Sequence, residues 1–280
     1  MAQKKLPLEG VKVVEMGTVV AAPTTARVLC AYGAEVIKVE TLDGDVMRLA
    51  GTHEFTPYED DLNPLFTIHN SNKKFLSLNF KTPEGKKILM DLLKDADVFI
   101  TNVREKSLLR NGLDYETLKA WNPGLIYAHF LGYGDKGPVA SNPGFDISAF
   151  WLRSGPIADW QTQGSFPFLP TYAFGDMATS SSFLAGILMA LYAKKETGLG
   201  TKVNTSLFAS GIWCNAIGVV SHQPQFGGDR PNDPLRPSDP FCHFYECSDG
   251  KWIGVFDNEY RRELPKFANL FGMPELVDDP

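Results

Sequence analysis

Residues 11–40 read VKVVEMGTVVAAPTTARVLCAYGAEVIKVE, and the fold follows from this stretch. Residues 11–16 are β-branched and apolar enough for a buried strand. Residues 23–32 predict a helix, with Gly33 at its end. Residues 35–40 predict a second strand. Strand, helix and strand in thirty residues make a β-α-β unit, which implies a parallel sheet with a right-handed crossover. The first turn, GTVVAAP at 17–23, carries no G-x-G-x-x-G, so a dinucleotide cofactor is not expected despite the architecture.

The pattern repeats outward from this unit. Residues 75–80 read as a short strand. Thr82, Pro83 and Glu84 supply a cap, a first-turn proline and an early acid for a helix to about Lys94. Residues 97–101 and 125–130 predict strands, with a helix over 115–121 between them that stops at Asn122-Pro123. The expected fold class is α/β, a Rossmann-like large domain on a parallel sheet. Residues 132–171 read as loop. A long apolar helix follows Asp176 to about Gly198, apolar nearly all round and expected in the core. Residues 202–205 predict a strand and 206–220 a second buried helix. Residues 223–240 read as a linker, and 241–256 as a hairpin turning at Ser248-Asp249-Gly250. The expected division is a large domain over 1–225 and the start of a small second domain over 226–280.

Bulk numbers narrow the function. The 280 residues are 44% hydrophobic and 21% charged with net charge -6, a globular composition without the basic field that nucleic acid requires. An anionic ligand would need a local cluster of Lys and Arg. Residues 1–10 lack the apolar core of a signal peptide. The longest apolar stretch, 183–193, is short for a bilayer. No membrane partner and a cytoplasmic location are therefore expected. The four cysteines have no Cys-x-x-Cys spacing and the five histidines no paired spacing, so no metal site is expected and the thiols are expected reduced.

One residue stands out by its place in the chain. Asp176, in FGDMAT at 174–179, stands at the mouth of the long apolar helix. By itself it reads as an ordinary helix cap. It also reads as a reactive anion kept ionised by the helix N-terminus, with free backbone N–H groups beside it.

The order and spacing of several short motifs over about 250 residues bear on this choice. They are LEGVKV at 8–13, GAEVIKVE at 33–40, NSNKK at 70–74, LNFKTPEG at 78–85, ADVFITN at 96–102, GYG at 132–134, GFD at 144–146, GD at 175–176 and TGLGTKV at 197–203. Together they resemble the class III CoA-transferases, the family of formyl-CoA and carnitine CoA-transferases. The runs GLDYETLK at 112–119 and GYGDKGP at 132–138 resemble most the 2-hydroxyacyl-CoA transferases of amino-acid-fermenting anaerobes, which act on acids such as phenyllactate.

The resemblance implies that Asp176 is the nucleophile, with coenzyme A or acyl-CoA as substrate, a carboxylic acid as acceptor and no prosthetic group. It implies CoA contacts at Val20, Ala21, Leu78, Lys81, Asn102, Val103, Arg104 and Arg110, with Phe145 and Asp146 near the pantetheine. Lys81, Arg104 and Arg110 would supply the local positive charge, although each also reads as a solvated surface charge. Asp146 also reads as a turn-forming Asx residue. The family further implies an interlocked homodimer and a longer chain, so this one is expected to be C-terminally incomplete.

Departures shape the substrate. Formyl-CoA transferase has Gln at the position of Val20 and Arg at that of Thr41, and its glycine-rich covering loop is not evident over 226–239. A more apolar acyl group is expected, and Phe150, Trp151, Trp160, Phe166 and Phe168 read either as its pocket or as ordinary core. The acyl-CoA racemases of the same superfamily carry His where this chain has Phe145. Phenylalanine exchanges no proton, which counts against racemisation. A non-catalytic CoA-binding module is the remaining alternative.

Overall fold

The computed structural model describes residues 5–49, 59, 62–226, 233, 239–257 and 259–277. Within them the first strand β1 (Lys12–Met16), helix α1 (Ala21–Ala31) and strand β2 (Glu35–Glu40) form the expected unit. The chain continues through α2 (Pro64–Asn70), β3 (Lys74–Ser77), α3 (Pro83–Lys94), β4 (Val98–Thr101), α4 (Glu105–Arg110), α5 (Tyr115–Trp121) and β5 (Ile126–Leu131). The sheet closes with β6 (Lys202–Ser206), and its order is β3-β2-β1-β4-β5-β6, with every pairing parallel. This is the doubly wound order that reverses beside β1, between β1 and β4.

Both faces of the sheet are covered, as parallel sheets require. Alternation with period two divides each strand between two cores. Val13, Val98, Ile100, Ile126, Ala128 and Phe130 pack with Ala22, Ala26 and Leu29 of α1. Val14, Val39, Phe99 and Tyr127 face the other way, onto Leu89 and Leu93 of α3 and Leu118 of α5. Thr82 caps α3 by accepting from the Gly85 amide, and Asp114 caps α5 by accepting from Thr117.

The region expected to be loop holds structure. Residues Asp146–Leu152 form a π-helical turn, followed by α6 (Pro156–Trp160). The long helix α7 spans Phe174–Thr197 and ends on Gly198 in the left-handed conformation. Phe183, Ile187 and Ala190 of α7 enter the core, but Leu188, Met189 and Tyr192 are exposed. The helix is therefore half core, not buried all round. By length and composition alone it is apolar enough to cross a bilayer. The single helix expected over 206–220 is two, α8 (Leu207–Cys214) and α9 (Ala216–Ser221), divided at Asn215.

The chain divides into two compact units, 1–157 with 169–221, and 158–168 with 222–280. The second holds the antiparallel hairpin β7 (Cys242–Glu246) and β8 (Trp252–Phe256), and α10 (Tyr260–Leu270). Phe241 anchors this unit against Tyr260 and Phe267, with ring centroids 5.3 and 4.8 Å away. Much of the linker expected over 223–240 lies outside the described residues.

Candidate active site

A cavity of about 870 Å³ opens at the carboxyl ends of the strands, where the sheet order reverses. This is where open α/β sheets bind ligands, because loops diverge on the two sides of the switch. One wall is the turn after β1, residues 18–21, and the opposite wall is the segment after β4, residues 102–107. Asn102 joins them: its side-chain amide donates to the Thr18 carbonyl at 2.8 Å and its Oδ1 accepts the Thr18 amide at 3.0 Å. A third wall comes from the end of β5, Phe130 and Leu131, with Gly132, Gly134 and Asp135 just beyond it. There Gly132 and Gly144 cross so closely that a Cβ on Gly132 would lie 2.7 Å from the Gly144 Cα.

Asp176 lines this cavity and is only 9% exposed. Ala173 is the N-cap of α7, so Asp176 stands in the first turn, three residues in, and is not the cap. Its carboxyl group is pushed up to about 7, first by burial and then by the negative charge of Asp146. The expectation that the helix end keeps Asp176 ionised is corrected in degree: burial and the like charge of Asp146 push against ionisation.

The expectation of free amides is corrected too. The Asp176 N–H donates to Asp146 Oδ2 at 2.8 Å, and the Gly175 amide also serves the Asp146 carboxylate. Asp146 thus does what a capping side chain would, from thirty residues away in sequence. Burial raises its own acid, and these amide donors and the Trp151 side chain oppose the rise. Gly175 makes the contact possible. A Cβ there would run into the Phe150 ring and sit 2.7 Å from Asp146 Oδ2.

Of the residues named from sequence, Val20, Ala21, Asn102, Val103, Arg104, Arg110, Phe145 and Asp176 all line the cavity. Asp146 reaches it through the Asp176 amide. Leu78 and Lys81 stand outside the lining. Leu78 is buried in the core beneath α3, and Lys81 is exposed. Phe150 and Trp151 are core, whereas Phe166 is exposed.

Sequence reasoning missed Lys106 and Lys202, two further cations of the lining. Lys106 follows Arg104 directly after a strand at the switch point, a signal that was available. Lys202 has none, because it belongs to a strand paired with β5. His129, also missed, is buried behind the wall, with Nε2 2.8 Å from the Val103 carbonyl and Nδ1 3.3 Å from Glu105. Burial lowers its basicity. Among the described residues no group of three or more His, Cys, Asp or Glu side chains is gathered as a metal site.

The cavity thus sets one buried carboxylate, Asp176, behind a lining that carries Arg104, Lys106, Arg110 and Lys202 beside Glu105 and Asp135, a small excess of positive charge that suits an anionic ligand. Residues 8–280 match the model of CoA-transferase family III. The chain belongs to this family. It is 40% identical over 272 residues to an (R)-2-hydroxy-4-methylpentanoate CoA-transferase of Clostridioides difficile, covering 97% of this chain and 68% of that protein. It is 37% identical over 273 residues to a cinnamoyl-CoA:phenyllactate CoA-transferase of Clostridium sporogenes, covering 96% and 66%. The chain therefore spans about two thirds of the length of these relatives. Among solved structures it resembles a CAIB/BAIF family protein from Brucella suis, with TM-score 0.77, 31% identity and coverage of 99% of this chain and 72% of that one. A hypothetical protein from Mycobacterium tuberculosis superposes with TM-score 0.81 at 26% identity, covering 99% and 72%. The family-level and α/β expectations from sequence hold.

Proposed function

We propose that this class III chain moves CoA between an acyl-CoA and a carboxylic acid, with a 2-hydroxy acid as acceptor, and that Asp176 is the nucleophile. The observation that carries the reading is the position of Asp176, a buried carboxylate on a basic-rimmed cavity at the switch point. The named substrates of the two curated relatives support the 2-hydroxy acid class.

In the proposed cycle a carboxylate oxygen of Asp176 attacks the thioester carbonyl, and CoA leaves as thiolate. The product is an acyl-aspartyl anhydride. The thiolate then attacks the aspartyl Cγ and expels the donor acid as its carboxylate, leaving an aspartyl-CoA thioester. The acceptor carboxylate attacks the same carbon and expels thiolate, and the thiolate finally takes the new acyl group and frees Asp176. No proton needs to move. Burial excludes the water that would hydrolyse the anhydride.

Arg104 and Arg110, joined by Lys106, hold the phosphates of CoA, while Val20, Ala21 and Phe145 offer apolar contact to pantetheine and acyl group. We place the large domain at 1–225 and a small domain beyond it. The exposed apolar residues Met189, Tyr192, Trp213 and Ile217 support a homodimer.

The test is mass spectrometry after incubation with a panel of 2-hydroxyacyl-CoA thioesters, with hydroxylamine in one set. A mass increase mapped to Asp176, converted to the hydroxamate and lost in Asp176→Asn, is expected. CoA binding without any adduct would reject the transferase mechanism for this chain.

A further inference from the structure

The proposed cycle leaves unused a group of four buried charges beneath the turn after β1. Lys38 on β2 pairs with Glu15 on β1 at 2.8 Å and with Asp45 at 3.0 Å, and Lys73 pairs with Glu15 at 2.6 Å. All four side chains have zero exposure. Apolar residues of the same volume would commonly serve stability as well or better, so such a cluster calls for another explanation.

Several of its polar atoms also reach the turn, while Lys73 Nζ donates in addition to Asn70 Oδ1 at 2.8 Å. Lys38 Nζ donates to the Gly17 carbonyl at 2.6 Å and Lys73 Nζ to the Pro23 carbonyl at 2.9 Å. Asp45 Oδ1 accepts two amides, those of Val19 at 3.1 Å and Met47 at 3.0 Å.

Val19 is the strained member of the turn. Its φ is +67°, a left-handed conformation that a β-branched residue adopts only when its surroundings impose it. Met47, held by the same oxygen, packs with Val20 and Ala173 in a small separate core. Ala173, also left-handed at φ +58°, is the residue from which α7 starts. A second route joins turn and helix. The Ser180 hydroxyl lies 2.8 Å from the Ala21 carbonyl and 2.7 Å from that of Asp176.

We propose that Asp45 is a positioning residue for the reaction: its carboxylate latches Val19 in the left-handed conformation and Met47 against Ala173, and so sets the turn against the nucleophile. This rests on the CoA-transferase reading. Asp45 acts through backbone and packing and touches no reacting atom.

The experiment is a double-mutant cycle of Asp45→Ala with Val19→Gly, read as the rate of adduct formation at Asp176. Glycine adopts positive φ without strain and needs no latch. Asp45→Ala is expected to slow the adduct by about tenfold or more beside Val19, but by less than roughly threefold beside Gly at that position. Asp45→Asn, which keeps an acceptor oxygen, is expected within roughly threefold of the parent. Equal losses in both backgrounds would overturn the proposal. If Asp45→Ala does not fold, Lys38→Met with Asp45→Ala removes the charges in balance and enters the same cycle.

Hydrogen–deuterium exchange over residues 17–23 reads the latch without activity. Exchange of the Val19 amide is expected to rise about tenfold or more in the Asp45→Ala chain, and unchanged exchange would overturn the latch. Absence of any adduct in the parent chain would defeat the transferase reading, while the exchange result would still decide the role of Asp45.

Discussion

At the scale of single residues, the ionisation of Asp176 follows from its burial and from one neighbour, Asp146. A carboxyl group raised to about 7 is half protonated near neutrality, and only its ionised form attacks a thioester. The rate of adduct formation should therefore climb with pH through about 7 and level off above it, as measured in single-turnover experiments. Asp146→Asn removes the like charge but keeps an oxygen for the Asp176 amide. It should move that rise to lower pH. Stability runs the opposite way. A folded-state carboxyl raised above its unfolded value of 3.8 contributes stability that is full below about 4 and lost as pH climbs through about 7. Asp176→Asn should consequently be inactive, yet more stable than the parent at pH 8 by on the order of 4 kcal/mol, with a flatter dependence of Tm on pH. The place of Asp176 in the chain was legible, because a Gly-Asp pair opens a long apolar run. Its ionisation was not, because the residue that sets it stands thirty positions earlier and meets it only after folding.

At the scale of elements, the first turn of α7 is shaped by what fits beside Gly175. The Phe150 ring and the Asp146 carboxylate occupy the space of a Cβ. Gly175→Ala should push Asp146 off the Asp176 amide, cost about 1–3 kcal/mol of stability by overpacking, and shift the pH dependence of adduct formation in the same direction as Asp146→Asn. A merely looser helix would lower stability without moving that profile. The alternation of strands and helices was legible over the first 130 residues, since each strand shows its period and α3 and α5 carry their caps. Two short helices were not, α2 and α4 of seven and six residues, whereas α5, also seven residues long, was marked by its stop at Asn122-Pro123. The π-helical turn at Asp146–Leu152 has no residue signature, so the element that delivers Asp146 read as loop.

At the scale of the whole molecule, the net charge is -6, while at one cavity Arg104, Lys106, Arg110 and Lys202 outnumber the carboxylates Glu105, Asp135 and Asp176. Exposed charges are screened within about 10 Å at 0.1 M salt. The KM for acyl-CoA should therefore rise with ionic strength. Arg104→Ala with Arg110→Ala should raise it by about tenfold or more, with a weaker salt dependence than the parent. That local concentration could be anticipated only in part, because Lys202 reaches the cavity from a strand remote in sequence from the other three. The crowding of Asp146 against Asp176 has a further consequence for the molecule as a whole. An aspartate converted to anhydride or thioester is neutral, so each covalent stage of the proposed cycle would abolish the repulsion and the cost of a buried anion. The empty chain is then the tense member of the cycle and the loaded chain the relaxed one, and the melting temperature of the protein becomes a gauge of how much of it is carrying cargo.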